Sequence, residues 1–488
     1  MNKLHWFKGW LAVALSLIIL WVSQPLHPVQ AQLNWVPDQP IPDYDDRRPP
    51  FLVADNNQTV HALYSLAISE DEVAIFYRQW RLRHGWGPAN DILIWPRLGM
   101  VVAQGLYLDD AGTLHLIFFD DGQDAIYYMY APAAMADRAP AWSNPVEIGT
   151  QAGPLPFAEL SGNDNGELIV LYGGQERATG LYEVHSRDSG ETWSAPTLVA
   201  PIYEQGRWPG AIRSDIDEQG RLHAVWSIVS EAGVGEEIYY ARLNQERTVW
   251  ERPTLLAQRV GDDYSANWPS IIAHQGELFV IYQNSVPATR WMLRSLDGGE
   301  TWRDPVRPFP HVGEYEHAVL LVDSRENLHM ILGNRIGNPA IHGMWHTRWL
   351  GDRWRDLEPI VSGPPTSQFD PSAPRAVISQ GNVLLVTWWH NTPDVDVPWF
   401  SYTTLDTPQL SVQPLPMPTP LTTPTATPAL PEPDTSLPAT NMVAPDVAPP
   451  EQPAQLSSNS PMMPLIAGTL PVLLIVLVLT LAVHWRNN

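Results

Sequence analysis

A unit of about 54 residues recurs seven times along the chain, and this repeat limits the possible folds more than any other feature. Its most apolar stretch is typified by Thr59–Tyr64, and the seven copies begin at Thr59, Thr113, Glu167, Arg221, Glu277, Asn327 and Asn382. Each unit contains enough short β-type runs for four strands. Such an array predicts an all-β fold, a β-propeller of seven four-stranded blades.

A W-x-x-P motif leads into the fourth strand of most units. The tryptophans are Trp86, Trp142, Trp193, Trp250, Trp302 and Trp354, and the seventh unit lacks one. A similar motif lies near the N-terminus, where Trp35 is followed by Pro37 and Pro40 within residues 34–41. We therefore predict that this N-terminal segment completes the last blade and closes the ring, which removes exposed sheet edges.

Two octapeptides fit the pattern S-x-D-x-G-x-T-W. They span Ser186–Trp193 and Ser295–Trp302. Asp and Ser side chains that bond to turn amides, with Gly at a position of positive φ, predict a hairpin turn between the third and fourth strands.

This octapeptide resembles the Asp-box, or BNR repeat, of the sialidase superfamily. The resemblance implies a β-propeller whose boxes are structural turns, so Asp188 and Asp297 carry the fold and not the chemistry. Sialidases have six blades, and a six-bladed sialidase-like propeller is the alternative to the seven that the repeat predicts. If the chain is active, the resemblance implies an exo-α-sialidase-like glycoside hydrolase, and it implies no cofactor and no metal.

The two ends of the chain differ in composition from the repeats. Residues 1–31 read as a signal peptide, with an uncleaved anchor as the alternative, and residues 32–407 form the propeller. Residues 408–464 are rich in Pro and Thr and predict an extended stalk. Residues 465–485 are apolar and long enough for a transmembrane helix, followed by a cytoplasmic tail, 486–488. These segments predict a single-pass cell-membrane protein with an extracytoplasmic propeller.

The formal charge of −24 argues against nucleic acid as a partner, because phosphate binding needs a basic face. The chain has no Cys, which excludes disulfides and thiolate metal sites. The histidines His61, His115, His223 and His329 fall at one position of the repeat on different blades, so we interpret them as repeated strand residues.

The resemblance to sialidases extends to candidate site residues on the face opposite the boxes. Arg48, in an R-x-P motif, is similar to an arginine of the triad that grips the substrate carboxylate. Asp71 lies in the 2–3 loop of the first blade, where the family places its acid/base Asp. The alternative for Arg48 is that x-x-P before an inner strand is a general feature of the repeat. The alternative for Asp71 is that it lies in a solvated acidic loop.

Arg290, five residues before Ser295, resembles the third arginine of that triad. Tyr315 precedes the next inner strand, where the family has its Tyr nucleophile, with Glu314 as the candidate base and Glu316 nearby. The family's own base Glu and second arginine have no counterpart at the expected points. The residues that could replace them are Glu204, Arg207, Arg213 and Arg335. We name Arg335 as the candidate carboxylate ligand beside Arg48 and Arg290.

The sequence leaves more than one function open. The first hypothesis is a membrane-anchored propeller that recognises acidic glycans of the sialic acid type. If the protein is an enzyme, it hydrolyses these glycans. A non-catalytic propeller that binds glycans or surface proteins, or a scaffold of the cell envelope, is the alternative. The expected partners are thus glycans or surface proteins, and the membrane through the C-terminal helix.

Overall fold

A computed structural model describes residues 33–44, 46, 48–154, 157–163, 165–261, 265–284, 289–314, 316–335 and 342–416. The predicted signal peptide, transmembrane helix and tail, and most of the predicted stalk, lie outside these residues. Within them, no helix has the length and apolar character that crossing a bilayer requires.

The described chain forms seven antiparallel sheets arranged as the blades of a propeller, as the repeat predicts. The chain begins with β1 (Gln39–Pro40). Blade 1 contains β2 (Phe51–Ala54), β3 (Val60–Ala67), β4 (Glu72–Arg81), the short β5 (Gly85–Trp86) and β6 (Asn90–Pro96). Blade 2 contains β7 (Val101–Leu108), β8 (Thr113–Asp120), β9 (Ala125–Pro132) and β10 (Val146–Thr150), with 3₁₀ turns at Ala133–Met135 and Ala139–Ala141. Blade 3 contains β11 (Ala158–Gly162), β12 (Leu168–Gly174), β13 (Gly180–Ser186) and β14 (Thr197–Pro201).

The remaining blades follow the same order. Blade 4 contains β15 (Arg207–Ile216), β16 (Leu222–Ser230), β17 (Gly235–Arg242) and β18 (Thr254–Gln258). Blade 5 contains β19 (Asn267–His274), β20 (Glu277–Asn284), β21 (Thr289–Ser295) and β22 (Val306–Phe309). Blade 6 contains β23 (Val319–Val322), β24 (Leu328–Asn334), β25 (His342–Arg348) and β26 (Glu358–Gly363). Blade 7 contains β27 (Pro371–Ser379), β28 (Val383–His390) and β29 (Trp399–Thr404).

The N-terminal segment closes the ring, as predicted. β1 supplies the outer strand of blade 7 by pairing with β29, with Gln39 opposite Phe400. The blade count is therefore seven, and the six-bladed alternative is excluded by the topology of the described chain.

Hydrophobic residues fill the spaces between neighbouring blades. Successive strand residues point to opposite faces of a sheet, so Leu63 of blade 1 packs in the cluster shared with blade 2, whereas Tyr64 packs in the cluster shared with blade 7. Each sheet is thus buried on both faces, and stability depends on the completeness of the ring.

The turns between strands 1 and 2 contain a repeated hydrogen-bonded group. In blade 4, Asp217 Oδ1 accepts the backbone N–H of Arg221 at 2.8 Å, and Oδ2 accepts His223 Nε2–H at 3.0 Å. His223 Nδ1 lies 2.8 Å from the hydroxyl of Tyr240 on β17. Equivalent Asp–His pairs are Asp55–His61, Asp109–His115 and Asp323–His329. The repeated histidines are strand residues that fix turns, as the sequence predicts.

The octapeptides form the turns between strands 3 and 4 of blades 3 and 5. Ser295 Oγ donates to Asp297 Oδ1 at 2.7 Å and accepts the N–H of Gly299 at 2.8 Å. Asp297 Oδ2 accepts the Thr301 hydroxyl at 2.6 Å. The turn contacts the previous blade, since the Tyr240 hydroxyl donates to Gly298 O at 3.4 Å.

The chain beyond the last strand lies along these turns. Leu410 N donates to Gln380 O of blade 7 at 2.8 Å, and Gln413 N donates to Asn56 O of blade 1 at 2.8 Å. Leu415 then packs on the cluster of blades 1 and 2. The first residues of the predicted stalk, 408–416, therefore contact the propeller on the face that carries the 1–2 turns.

Candidate functional site

A cavity of about 410 Å³ opens on the opposite face, at the propeller axis. It is formed where the inner strands begin, and a deeper cavity of about 330 Å³ continues it along the axis. Every blade contributes inner-strand or entry residues to the deeper cavity, and these include Phe51, Gln104, Glu159, Arg213, Ser270, His317 and Arg375. We call the upper cavity the axial pocket.

Three β-bulges turn inner-strand side chains toward the axis. Ala211, Trp268 and Ala373 have positive φ values of 46°, 53° and 51°, and the strand register shifts beside each of them. Two residues after each bulged position come Arg213, Ser270 and Arg375, which line the axial cavities. A positive φ at a residue other than Gly is strained and is retained where the fold enforces it, often at functional sites.

Arg375 contributes a partly buried guanidinium group to the pocket. Its guanidinium lies 4.5 Å above the ring of Phe51, and within the described residues no protein acceptor hydrogen-bonds to it. Burial and the neighbouring Arg213 lower the pKa of Arg375 to about 10, so it remains a cation at neutral pH. No described residue therefore competes with a ligand for its N–H donors.

Two further arginines line the pocket. Arg213 donates from Nη1 to Glu159 Oε2 at 3.3 Å and to the carbonyl of Ile212 at 2.7 Å. Arg48 is half-exposed at the rim and pairs with Asp46 at 3.3 Å. The pocket thus presents guanidinium groups at its rim and at its base.

Glu316 and His317 bring an acid and a base to the same pocket. Burial and the nearby Glu314 carboxylate raise the pKa of Glu316 to about 7. Burial, with the positive charges of Arg213 and Arg375, holds the pKa of His317 well below its usual value. At neutral pH the imidazole is therefore neutral, and a large fraction of Glu316 is protonated.

The deeper cavity contains carboxyl groups that burial makes weakly acidic. Burial raises the pKa of Asp215 to about 6, and its Oδ2 accepts the N–H of Ala273 at 2.7 Å. Burial also raises the pKa of Glu159, although Arg213 beside it acts in the opposite direction. No group of three or more His, Cys, Asp or Glu side chains in the described chain is arranged to hold a metal ion.

The residues predicted from the sequence are dispersed in the structure. Arg48 lines the axial pocket. Asp71 is exposed in the turn between β3 and β4, where its carbonyl accepts the N–H of Arg97 at 2.8 Å, and it does not line the pocket. Tyr315 lies outside the described residues.

Arg290 of blade 5 and Glu314, in the segment that leads into blade 6, interact electrostatically in the protein interior. Both are fully buried, and the three guanidinium nitrogens of Arg290 have no hydrogen-bond partner in the described part of the chain. Glu314 accepts the N–H of Gly333 at 2.8 Å and the hydroxyl of Ser372 at 3.0 Å. Neither residue lines the axial pocket. Their described contacts are with the protein interior.

Arg335 makes a two-point ion pair with Asp370. Its Nε and Nη2 donate to the two carboxylate oxygens at 2.8 and 2.5 Å, and His342 Nδ1 lies 2.7 Å from Asp370 Oδ1. Arg207, another substitute considered from the sequence, pairs with Glu204 and Glu236. Arg213 alone among the substitutes enters the pocket.

Sequence reasoning did not select Arg375, His317 or Trp268. For Trp268 and Arg375 the sequence signal is a Pro beside the bulge, in Trp268-Pro269 and Pro374-Arg375, at the start of an inner strand, whereas His317 has no such Pro. The proline marks the strand entry, but it does not show which side chain faces the axis.

Comparisons with known proteins match the fold alone. No protein-family model and no curated protein matches the chain. A solved ulvan lyase of polysaccharide lyase family PL25, bound to -[GlcA(1-4)Rha3S]-, is 12% identical with a TM-score of 0.51, over 76% of this chain and 96% of that one. NanB sialidase from Streptococcus pneumoniae is 10% identical with a TM-score of 0.42, over 78% of this chain and 71% of that one.

The sialidase of Trypanosoma rangeli, in complex with sialic acid, is 12% identical with a TM-score of 0.41, over 75% of this chain and 59% of that one. The chain therefore has a propeller fold similar to that of the solved ulvan lyase. Identities this low show the fold and do not transfer an activity.

Proposed function

We propose that this chain is a membrane-anchored, extracytoplasmic propeller that binds acidic glycans in the axial pocket through their carboxylate groups. The single observation that supports this most strongly is Arg375. Its guanidinium is partly buried in the pocket and lacks a protein acceptor among the described residues, although Arg elsewhere in the described fold is commonly paired with Asp or Glu.

A carboxylate is the ligand that best matches this arrangement. A guanidinium offers parallel N–H donors that fit the two oxygens of a carboxylate, and such charge-assisted pairs are among the stronger hydrogen bonds. Arg213 and Arg48 add positive charge at the base and the rim. The pocket therefore favours an anion even though the chain as a whole carries a charge of −24.

The walls of the pocket suit a sugar ring. Tyr64, Phe157, Trp268 and Trp389 line it, and Trp268 stands edge-on to Phe157 at 5.5 Å between ring centroids. Flat aromatic faces bury the C–H face of a sugar, while the charged groups fix its orientation. The glycan-related names of the structural neighbours support the same class of ligand.

Replacement of Arg375 by Gln is expected to weaken binding of a carboxylated oligosaccharide by about tenfold to a hundredfold. A hydrogen bond to a charged group contributes about 1.5–3 kcal/mol, and each 1.4 kcal/mol is about tenfold in affinity. Isothermal titration calorimetry with trigalacturonate and sialyllactose, and with maltotriose as the neutral sugar, measures the effect.

Arg353→Gln is the matched control, because Arg353 is exposed in a turn between strands 3 and 4, on the other face. Loss of affinity in the Arg375 variant and not in the control supports the proposal. Equal affinities of wild type and Arg375→Gln contradict it. Absence of binding to both acidic sugars favours the alternative of a protein-binding or scaffold propeller.

Residues 405–416 precede the segment in which the anchor is predicted. These residues contact the face opposite the pocket, at Gln380, Asn56 and Gly112. Residues 33–416, produced alone, are expected to remain in the supernatant without detergent after ultracentrifugation. Sedimentation of that protein with membranes contradicts an anchor confined to the C-terminal part.

A further inference from the structure

Glu316 differs from Asp46, the other acidic side chain in the described lining of the axial pocket. Asp46 accepts hydrogen bonds from the backbone N–H and the guanidinium of Arg48, at 3.2 and 3.3 Å. Glu316 is partly exposed in the pocket, and its carboxyl makes no hydrogen bond within the described residues. Its oxygens are therefore left to interact with a molecule that enters the pocket.

Two carboxyls of the deeper cavity, in contrast, are hydrogen-bonded. Glu159 Oε2 accepts Arg213 Nη1–H at 3.3 Å, and Asp215 Oδ2 accepts the N–H of Ala273 at 2.7 Å. Neither of them lines the axial pocket. Among the acidic side chains that the structure describes in the two cavities, Glu316 is thus the one without a protein donor.

Ionisable side chains surround Glu316 on several elements. They are Glu314 and His317 of its own segment, Arg213 of β15, Arg290 of β21 and Arg375 of β27. Burial and the Glu314 carboxylate raise the pKa of Glu316 to about 7, and the three arginines act in the opposite direction. Glu316 therefore changes between a neutral and a charged form near neutral pH.

The neighbouring groups of the pocket keep one charge state near this pH. Burial and Arg213 lower the pKa of Arg375 to about 10, which leaves it a cation. Burial and the positive charges of Arg213 and Arg375 hold the pKa of His317 well below its usual value, so the imidazole stays neutral. Burial raises the pKa of Tyr64 above its ordinary value, so the phenol keeps its proton. We therefore assign a change in the charge of the pocket near neutral pH to Glu316.

A ligand carboxylate at Arg375 would bring a second acidic group into the pocket that Glu316 lines. A sugar carboxylate is ionised at neutral pH, and two like charges repel more strongly in a partly buried site than in water. Protonation of Glu316 removes this repulsion, and it also gives the carboxyl an O–H donor for a ligand oxygen. The pocket is therefore more complementary to an anion when Glu316 is neutral than when Glu316 is charged.

We infer that Glu316 makes the binding of carboxylated glycans in the axial pocket dependent on a proton. The pocket holds an acidic glycan when Glu316 is neutral, and its affinity falls when Glu316 ionises. This inference rests on the proposed function, the binding of such glycans through Arg375. It adds a means of regulation to that site, because the ligand and a proton bind together.

The direction of the pH dependence follows from this coupling. A bound carboxylate disfavours the ionised form of Glu316, so the pKa of Glu316 is higher in the complex than in the free protein. Affinity is then highest below about pH 7 and falls as the pH rises through the pKa of the free protein. The fall continues until the pKa of the complex is passed, and binding is accompanied by proton uptake in that range.

The test is isothermal titration calorimetry of residues 33–416 with trigalacturonate at pH 6 and pH 8, at constant ionic strength. The affinity of the wild type is expected to fall about fivefold to tenfold between the two pH values, for a pKa that rises by about one to two units on binding. Glu316→Gln has a neutral side chain of the same size. It is expected to bind with equal affinity at both pH values, and more tightly than the wild type at pH 8. A gain in affinity cannot arise from a damaged fold.

Glu70→Gln is the matched control, because it removes one negative charge at an exposed position in the turn between β3 and β4, outside the pocket. It should keep the pH dependence of the wild type. Titrations of the wild type at pH 7.5 in two buffers of different ionisation enthalpy measure the proton directly. Uptake of about half a proton or more per ligand is expected, and this measurement needs no variant.

Three results overturn this inference and leave the proposed function intact. They are equal affinities of the wild type at the two pH values, binding without proton uptake, and a wild-type pH dependence that persists in Glu316→Gln. The last result would assign the titration to another carboxyl, such as Asp215 or Glu314. Failure of the wild type to bind trigalacturonate or sialyllactose at either pH refutes the proposed function itself.

Discussion

A propeller that lacks Leu33–Ile41 is expected to lose at least about 5 kcal/mol of its stability, which is comparable to the whole free energy of unfolding of many proteins. Ile41 is 1% exposed and packs with blades 1 and 7, and burying such a side chain contributes about 1.5–3 kcal/mol. Leu33 and Trp35 pack on the cluster of blades 6 and 7.

Backbone pairing is lost in addition. Val36 N donates to Tyr402 O at 3.0 Å, Ile41 N donates to Pro398 O at 2.8 Å, and the Ser401 hydroxyl donates to Val36 O at 2.6 Å. Without the segment, β29 becomes an open edge next to blade 1.

Urea unfolding of residues 42–416 against residues 33–416 measures the loss. Ile41→Ala is the graded control, expected to cost about 2–5 kcal/mol because it removes the buried side chain and leaves the strand pairing. Equal unfolding midpoints for the truncated and complete propellers would show that the ring does not depend on this segment.

Gly299→Ala is expected to lower the free energy of unfolding by about 3 kcal/mol or more. Backbone strain and a steric clash contribute separately to this loss. Gly299 has φ = +93°, where a side chain is strained, and a Cβ there would lie 1.9 Å from the hydroxyl of Tyr240 on the previous blade. Overpacking of this kind adds about 1–3 kcal/mol. The turn therefore fixes the spacing between blades 4 and 5.

Gly351→Ala is the matched control, since Gly351 has φ = +96° and nothing lies within 4 Å of the Cβ position. This substitution is expected to lower the free energy of unfolding by about 1 kcal/mol, through the strain of a side chain at positive φ alone. Adding Tyr240→Phe to Gly299→Ala removes the clashing hydroxyl, so the double variant should be less destabilised than the sum of the single variants. Equal losses for Gly299→Ala and Gly351→Ala in chemical denaturation contradict the proposed contact between blades.

The fold was predictable because its signals are local and repeated. Short apolar strands such as Thr113–Phe118 recur at a near-constant spacing, and each one can be recognised from neighbouring residues alone. The missing fourth strand of blade 7 and the motif around Trp35 together predicted the closure, which the pairing of β1 with β29 confirms.

The composition of the pocket was not predictable in the same way. The direction of the Arg213 and Arg375 side chains depends on bulges at Ala211 and Ala373. A Gly or Asn at these two positions would have indicated a positive φ in the sequence, whereas an Ala does not. An Arg at a strand position gives the same sequence signal whether it faces the axis or the interior. Arg290 illustrates this, because the pairing of β20 with β21 places it beside buried Gln283.

A crystal structure of residues 33–416 with bound trigalacturonate would show directly where the propeller binds a carboxylated sugar. We expect one sugar to occupy the axial pocket, with its carboxylate within hydrogen-bond distance of the Arg375 guanidinium and its ring against Trp268. A carboxylate bound at another face of the propeller, with the axial pocket filled only by water at saturating ligand, would contradict it.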